Sequence, residues 1–378
     1  MSEYPIIIAG AGIAGLTCAL SLAQRNHHVK ILEAFEAPEE VGAGIQVPPN
    51  AWRVLDKLGL DDELTRKSIK PRSIKLGDAH QSKILLDLPV NRDPKSDMRF
   101  GAIHRAHLHG LLWEAANKSA LINIITGCKV QAVSENPDGV EVLCETSNGE
   151  RTEAAKILIG ADGIWSNVRR YVPNALIPSA TGRIALRAMV TGHETAGEPD
   201  ITAWMAPKSH AVCYPVQDMD TINVVAIIGG AAHSGSWSQK LAGPLPDDLT
   251  HVLANITPTP TEEIDFLRWP LYSIDPEGAW FSNHICLIGD AAHGMEPFAA
   301  QGAAMGIEDA YVLARCLDSS GLEKASEAFA AYRKERLDRV LRVAQRTEFN
   351  RIAYHQSGIG RMVRNSIFKV RKPEDFLK

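Results

Sequence analysis

The hydrophobic rhythm of the chain changes twice along its length. Residues Tyr4 to Ala9 form an unbroken apolar run rich in isoleucine, as expected of a parallel strand buried on both faces. Leu16, Leu20 and Ala23 then recur at helical spacing, and Val29 to Leu32 reads as a second buried strand ending at Glu33. The same strand–turn–helix order returns twice. Ile157 to Ile159 leads into Ala161-Asp162-Gly163 and a helix carrying Ser166, Arg169 and Arg170. Ile285 to Ile288 leads into Gly289-Asp290, with Pro297 starting the next helix. Between about Arg183 and Leu271 the pattern becomes short, partly alternating runs ("RIALRAMV", "ITAWMA", "HAVCYPV", "TINVVAII") split by Gly, Pro and Asp, which predicts an antiparallel sheet. Beyond Glu323, apolar positions Phe329, Tyr332, Leu337, Val340, Leu341 and Ala344 are interleaved with Arg and Lys, predicting one long amphipathic helix. "RMVRNSIFKVRK" adds a short amphipathic tail, a candidate dimer contact.

The first turn carries chemistry. Gly10-Ala11-Gly12-Ile13-Ala14-Gly15 sits between a strand and a helix, with an acid, Glu33, at the end of the next strand. In that context Gly10 permits a tight turn, Gly12 lets backbone approach a pyrophosphate, and Gly15 allows close helix–strand packing. The helix N-terminus offers free amides and a positive dipole end to the phosphates. Glu33 accepts from ribose hydroxyls and disfavours a 2′-phosphate, so the tightly bound nucleotide is NAD or FAD. Two further strand–Gly/Asp units exceed what a hydride-transferring dehydrogenase needs.

Composition narrows the class. At 378 residues with 45% hydrophobic content, the chain predicts two domains or one large α/β unit around a sizeable core. A net charge of −5 argues against a nucleic-acid partner, although the segment from Glu323 onward holds 14 Lys+Arg against 7 Asp+Glu. The long basic helix reads either as a membrane-surface or partner helix or as a helix packed on the nucleotide domain with a solvated basic face. Six scattered cysteines form no CxxC pair or zinc spacing, which predicts buried thiols in a reduced, cytoplasmic setting. The apolar N-terminus lacks a basic leader and keeps fixed glycine spacing, so no targeting segment or membrane span is expected.

Taken together, "VGAGIQVPPNAWRVLDKLGL" (Val41 to Leu60), "IHRAHLHGLLW", "ADGIWSNVRR", "CYPV" and "IGDAAHGMEPFAAQGAAMGIEDA" resemble the FAD-dependent aromatic hydroxylases of the p-hydroxybenzoate hydroxylase class, in the salicylate hydroxylase and 6-hydroxynicotinate monooxygenase branch. The resemblance implies an α/β fold: a Rossmann-type FAD-binding domain, an inserted, mostly antiparallel substrate sheet, and C-terminal helices. The expected division is 1–70, 100–180 and 272–350 for the FAD domain, 71–99 and 181–271 for the substrate domain, and 351–378 for the tail. FAD contacts are implied at Gly10, Gly12, Ala14, Gly15, Glu33, Ala34, Arg105, Val130, Asp162, Asp290, Gly302 and Ala303. Asp290 accepts from the ribityl hydroxyls, and backbone at Gly302 and Ala303 meets the flavin ring, which explains a stretch so poor in side chains. Arg105 reads alternatively as an ordinary surface arginine, and Asp162 and Asp290 as helix caps.

The chemistry implied is hydroxylation of a small activated aromatic (a phenol, a salicylate-like acid or a hydroxypyridine carboxylate) by dioxygen through a flavin hydroperoxide, with NADH or NADPH as transient reductant. A base that ionises the phenol accelerates such an attack. His210 and Tyr214, four apart on one strand and hence on one face, are the candidate activating pair, or else a buried structural tyrosine and a surface histidine. Gln46, Arg187 and Phe298 are candidate substrate contacts: Arg187 as a carboxylate clamp or a strand-edge ion pair, Phe298 as an apolar floor. Gln46 stands where hydroxynicotinate enzymes carry histidine. Rival readings are an epoxidase or reductase of the same fold, and a non-catalytic flavin-binding module. No WxWxIP halogenase stretch occurs. The protein is expected to be a monomer or homodimer.

Overall fold

The computed structural model describes residues 5–37, 43–90, 99–191, 199–216, 219–230, 239–241, 245–254, 256–257 and 259–370. Tyr4, Val41, Gly42, Arg371 and Lys372 of the stretches above lie outside them. Five short strands form a parallel sheet in the order β18 (Ile285–Leu287), β11 (Ile157–Gly160), β1 (Ile6–Ala9), β2 (Val29–Leu32), β7 (Ile122–Ile125). Ile6 pairs with both Ile157 and Val29, which makes β1 central. Its four residues are sealed from solvent, as their unbroken apolar run requires. Helices α1 (Ile13–Ala23) and α4 (Arg105–Lys118) pack beside it, and α7 (Gly302–Ser320) packs on α1. Thr17 and Ser21 are fully buried within α1 because their hydroxyls donate back to the carbonyls of Ile13 and Thr17, at 2.6 and 2.7 Å.

A second sheet has eight strands in the order β16 (Gln239–Lys240), β17 (Leu267–Ser273), β12 (Ser179–Val190), β15 (Ile222–Gly229), β14 (Ser209–Pro215), β13 (Ile201–Ala206), β4 (Ser73–Asp78), β5 (Lys83–Pro89). Every neighbouring pair is antiparallel except β13–β4. Helix α5 (Asp247–Ala254) covers one face, where Leu186, Val224, Ala226, Leu253 and Phe266 form a core. The opposite face meets an antiparallel pair of strands, β3 (Gly44–Val47) and β6 (Gly101–His104); α2 (Pro49–Lys57) and α3 (Asp61–Lys67) follow β3 in sequence. A meander of β8 (Cys128–Asn136), β9 (Gly139–Thr146) and β10 (Gly149–Ala155) completes the strands.

Two expected helices are shorter than the sequence suggests. After Asp162 there is only a 3-10 turn, Val168–Tyr171, because the Asp162 carboxylate draws in the amides of Asn167 and Val168 and Pro173 follows at once. Pro297 starts a single 3-10 turn ended by left-handed Ala300, so α7 begins at Gly302. A four-residue helix, α6 (Asp290–His293), bridges β18 to that turn.

The long basic helix is α8 (Ala325–Tyr354), packed along α7, and the tail is α9 (Gly358–Val370), returned onto β5. Asp78, fully buried at the end of β4, holds α9 in place. Its carboxylate accepts two bonds from Arg361 (2.7 and 2.9 Å), one from Asn365 Nδ2 (2.8 Å) and one from Arg364 (3.3 Å). Burial pushes this carboxyl up, but the bonds from Arg361 and Asn365 outweigh it and hold the pKa below the ordinary value. A depressed carboxylate stabilises above its unfolded pKa and loses that contribution as pH falls through the folded one. Acidification below the ordinary carboxylate range is therefore expected to release α9. Asp78→Ala, which leaves Arg364 buried and uncompensated, is expected to do so at neutral pH at a cost of about 3 kcal/mol. Limited proteolysis at the α8–α9 junction reads both; equal cleavage rates in the variant and the parent would refute the anchor.

Candidate active site

The turn after β1 takes its shape from glycine. Gly10 lies at φ +99°, and a Cβ there would meet Ala161 O at 2.7 Å. A Cβ on Gly15 would sit 2.0 Å from Gly10 O, so α1 can approach the strand only without one. A Cβ on Gly12 would meet nothing within 4 Å: its backbone faces an open cradle. Glu33, just past β2, accepts from the Ala11 amide at 2.6 Å and the Phe35 amide at 3.0 Å, with Ala34 between. His109 of α4 closes the turn from the other side, its Nε2 lying 2.7 Å from Ala11 O. Sequence reasoning did not single out His109.

Opposite this turn lie two carboxylates and a cation. Asp162 takes the amides of Asn167 and Val168 on Oδ2 (2.8 and 3.2 Å), while its buried Oδ1 has no partner among the described residues. Burial raises its pKa. Asp290 is accessible to solvent yet lies deep between protein walls, and desolvation raises its carboxyl against the nearby His293 and Arg105. Arg105, at the start of α4, makes no side-chain hydrogen bond or ion pair among the described residues. Its electrostatic partner is Asp290, and burial lowers its pKa. Val130 is farther round the rim, and its carbonyl is already taken by Asn167 Nδ2 at 3.0 Å.

The small-residue stretch serves two purposes. A Cβ on Gly306 would lie 3.1 Å from the Cβ of Ala14, and one on Gly289 3.3 Å from it, so α1, the Gly289 turn and α7 meet at these positions. Gly302 differs, because a Cβ there would touch nothing. Gln301 caps α7 without a side-chain bond, and the first helical bond is Met305 N–H to Gln301 O, which leaves the amides of Gly302, Ala303 and Ala304 without helical acceptors. An open glycine turn, an orphan carboxylate oxygen, an unpaired arginine and an uncapped helix N-terminus around one cleft suit a dinucleotide carrying a ring that accepts negative charge. The residues present fit FAD.

Behind the cleft lies a network absent from the sequence reading. Asp309 of α7 is fully buried and accepts from the Gly289 amide (2.9 Å), His293 Nε2 (2.6 Å) and Arg336 Nε of α8 (2.7 Å). Burial would raise its pKa, but His293 and Arg336 outweigh that and hold it well below the usual range. Arg336 also pairs with Glu308, whose other oxygen accepts from Asn50 Nδ2 at 2.6 Å. The carboxylate thus grips the residue before Asp290 and the residue three after it.

On the sheet, alternation puts His210, Val212 and Tyr214 of β14 on the cleft-side face with Asn223, Val225 and Ile227 of β15 and Ala185, Arg187 and Met189 of β12. His210 and Tyr214 share that face as expected, but they are not a pair. Four strand residues separate them by roughly 13 Å, and each has its own surroundings. Tyr214 is hydrogen-bonded to Gln46 and lies near the charge of Arg187; burial outweighs both and raises its pKa. His210 stacks near Phe298 (4.9 Å between centroids) and Tyr354 (5.2 Å), and its Nδ1 lies 3.0 Å from His355 Nε2. Burial lowers its pKa to about 3. Arg187 occupies the row between them. Its Nε is buried without a partner among the described residues, its guanidinium lies 5.7 Å from the Trp269 ring, and burial lowers its pKa. The strand-edge ion pair considered for Arg187 is absent among the described residues; Arg183 makes such a pair instead, bidentate to Glu296 at 2.6 and 2.8 Å.

The grip on the Gly289 turn yields two expectations. Asp290→Ala, losing a charged acceptor, is expected to weaken FAD binding roughly 30- to 100-fold. Asp309→Asn touches no part of the cleft directly, yet is expected to weaken FAD binding about tenfold and lower the melting temperature by on the order of 5 °C. Fluorescence titration of apoprotein and thermal melting check both. Parental affinity in Asp309→Asn would show that Asp309 stabilises the fold without shaping the turn.

Comparison with known proteins agrees with this geometry. The family model described as "FAD binding domain" matches residues 3–347. The chain is 32% identical to 3-hydroxybenzoate 6-hydroxylase 1 of Aquipseudomonas alcaligenes, over 99% of this chain and 95% of that protein. It is 29% identical to 6-hydroxynicotinate 3-monooxygenase of Bordetella bronchiseptica, over 89% of each. The structure superposes on Klebsiella pneumoniae HpxO complexed with FAD and uric acid with a TM-score of 0.82 at 21% identity, covering 100% of this chain and 96% of that one. Among the described residues no helix is long and apolar enough to cross a membrane. The chain belongs to the FAD-binding family of flavoprotein aromatic hydroxylases and is an FAD-dependent monooxygenase.

Proposed function

We propose that the protein hydroxylates a small phenolic acid of the hydroxybenzoate class at the sheet face bearing Arg187. The observation that carries this reading is the buried, unpartnered Nε of Arg187, set among apolar residues of one sheet face between the rows of His210 and Tyr214. A desolvated guanidinium with a free donor favours a carboxylate, and its planar fork suits two parallel bonds. By strand spacing, Arg187 and His210 start roughly 12 Å apart at the backbone. That leaves room for one benzene ring whose carboxylate meets the arginine and whose hydroxyl meets the imidazole. Gln46, fixed by its bond to Tyr214, favours a hydroxybenzoate over the hydroxynicotinate considered from sequence.

In this reading each group has one task. Arg187 orients the ring, Trp269 and Phe298 exclude water, and Tyr214 with Gln46 holds a polar substituent. His210, kept neutral by burial, accepts the phenolic proton and so raises electron density on the ring. Bound FAD, reduced by NADH or NADPH, supplies the activated dioxygen. Asp162, Asp290, Arg105 and the α7 N-terminus hold the cofactor, with Glu33 at its ribose. All six cysteines are buried and free, in keeping with a cytoplasmic enzyme.

The test is oxidation of NADH and of NADPH by FAD-loaded protein with 3-hydroxybenzoate, salicylate, 6-hydroxynicotinate and uncharged phenols, with hydrogen peroxide assayed in parallel. A hydroxybenzoate is expected to stimulate turnover with little peroxide. Arg187→Gln is expected to raise KM for that acid roughly tenfold or more while leaving uncharged phenols nearly unchanged. His210→Asn is expected to lower kcat on the order of a hundredfold. Equal stimulation by acids and uncharged phenols would sink the assignment of Arg187.

A further inference from the structure

We propose that His355, at the end of α8, is the second station of a proton relay that carries the substrate's hydroxyl proton from His210 to solvent. The inference rests on the reading of His210 as the base and extends it to a residue outside the substrate face.

The geometry is that of a conducting pair. His210 Nδ1 and His355 Nε2 lie 3.0 Å apart, so one ring donates and the other accepts. Beside that contact, His210 makes no other side-chain hydrogen bond among the described residues, so its Nε2 is free to meet a substrate hydroxyl. His355 is only half-buried, and its Nδ1 likewise has no partner among the described residues, so the pair connects a sealed interior to water. Phe298 and Tyr354 pack around His210, and Phe298 also touches His355, at 5.5 Å between ring centroids. The charged groups facing His355 are Arg351 of α8 and Arg183 of β12, the latter paired with Glu296. Burial first, and then these two cations, disfavour an imidazolium; the pKa of His355 is lowered to about 4.

Those surroundings decide how a proton can move. His210 starts with hydrogen on Nδ1 and a lone pair on Nε2. His355 starts with a lone pair on Nε2 and hydrogen on Nδ1. The substrate O–H bond breaks as Nε2 of His210 gains the proton, Nδ1–H of His210 passes to Nε2 of His355, and Nδ1–H of His355 leaves to water. One proton enters and one leaves, and neither ring becomes a cation. The rings reset by the reverse path: the product oxygen takes the proton on His210 Nε2, His355 Nε2–H returns its proton to His210 Nδ1, and His355 Nδ1 regains one from solvent. A lone buried histidine would have to hold the charge itself, which its environment opposes.

The measurement uses oxidised, FAD-loaded protein without reductant. Mixing with 3-hydroxybenzoate is followed by the phenolate absorbance of the bound ligand and by a pH dye in weakly buffered solution. The parent protein is expected to ionise the ligand and release a proton, and His210→Asn to bind it un-ionised. His355→Ala and His355→Gln are expected to slow ionisation ten- to a hundredfold with ligand affinity within about threefold. Added imidazole should restore the rate in His355→Ala. The Gln variant keeps a hydrogen-bond partner for His210, so it decides the question if the Ala variant does not fold. Parental ionisation rates in the Gln variant overturn the relay while leaving His210 as base. Unchanged ionisation in His210→Asn, or a parent protein that binds the ligand without ionising it, overturns both.

Discussion

One buried carboxylate sets the geometry on which the cofactor cleft depends. Asp309 has no contact with solvent, and an unpaired charge there would cost several kcal/mol. It is held ionised by Arg336, which comes from a helix that does not itself line the cleft. A buried ion pair of this kind contributes little net stability compared with an apolar replacement; it specifies an arrangement instead. Here the arrangement is the Gly289 turn, at φ +58° and ψ −139°, a backbone region open almost only to glycine. The bonds from Asp309 to the Gly289 amide and to His293 hold that turn at both ends, and Asp290 projects from the middle. Asp290 can therefore be a good acceptor without paying the entropy of a mobile loop.

A second constraint joins the sheet to the cleft, and it too is a matter of missing atoms. Gly44 donates to Asn223 Oδ1 at 2.6 Å, and a Cβ on it would lie 2.7 Å from Tyr214 Cε2. The β3–β6 strand pair can lie flat on the sheet only because that position is glycine. Gln46 is carried two residues along the same strand to meet Tyr214. At the other end, Glu296 receives Arg183 of β12 just before the Pro297 turn, and Asn350 Nδ2 donates to Phe298 O at 3.0 Å. Two polar ties, Gly44 to Asn223 and Arg183 to Glu296, thus join the eight-stranded sheet to the cofactor side, and Asn350 fixes the turn that carries Phe298.

Much of this was legible in the sequence, for reasons that differ by element. The strand–turn–helix units could be read because a doubly covered strand must be continuously apolar and a phosphate turn needs glycine at fixed intervals. The antiparallel sheet could be read from alternation and turn residues, and His210 and Tyr214 from being four apart on one strand. Alternation gives the face and not what surrounds each side chain, so their separate partners, Gln46 for Tyr214 and His355 for His210, were hidden. The short turns after Asp162 and Pro297 were misread as helices because one carboxylate and one left-handed alanine end them, and neither is a pattern signal. Asp309, Arg336 and His355 could not have been found by spacing. Their partners lie 16 to 145 residues away in sequence, and an acid or arginine on an amphipathic helix looks the same whether it faces water or a buried countercharge.

That last ambiguity explains the charge asymmetry of the chain. A segment with 14 Lys+Arg against 7 Asp+Glu invites a reading as a surface for an acidic partner. In the fold, much of that excess faces inward or sideways. Arg336 and Arg339 converge on Glu308, with Arg336 also on Asp309; Arg361 and Arg364 converge on Asp78; Arg333 donates to the carbonyls of Glu277 and Gly278. The acids come from earlier in the chain, where the remaining charge is negative. The basic C-terminal helices therefore find their acidic partner within the same molecule. The consequence is functional as well as structural. The helices that bring His355 to His210 are seated by charges on α7 and β4, so the contact between the two imidazoles depends on ion pairs far from the sheet face that bears His210.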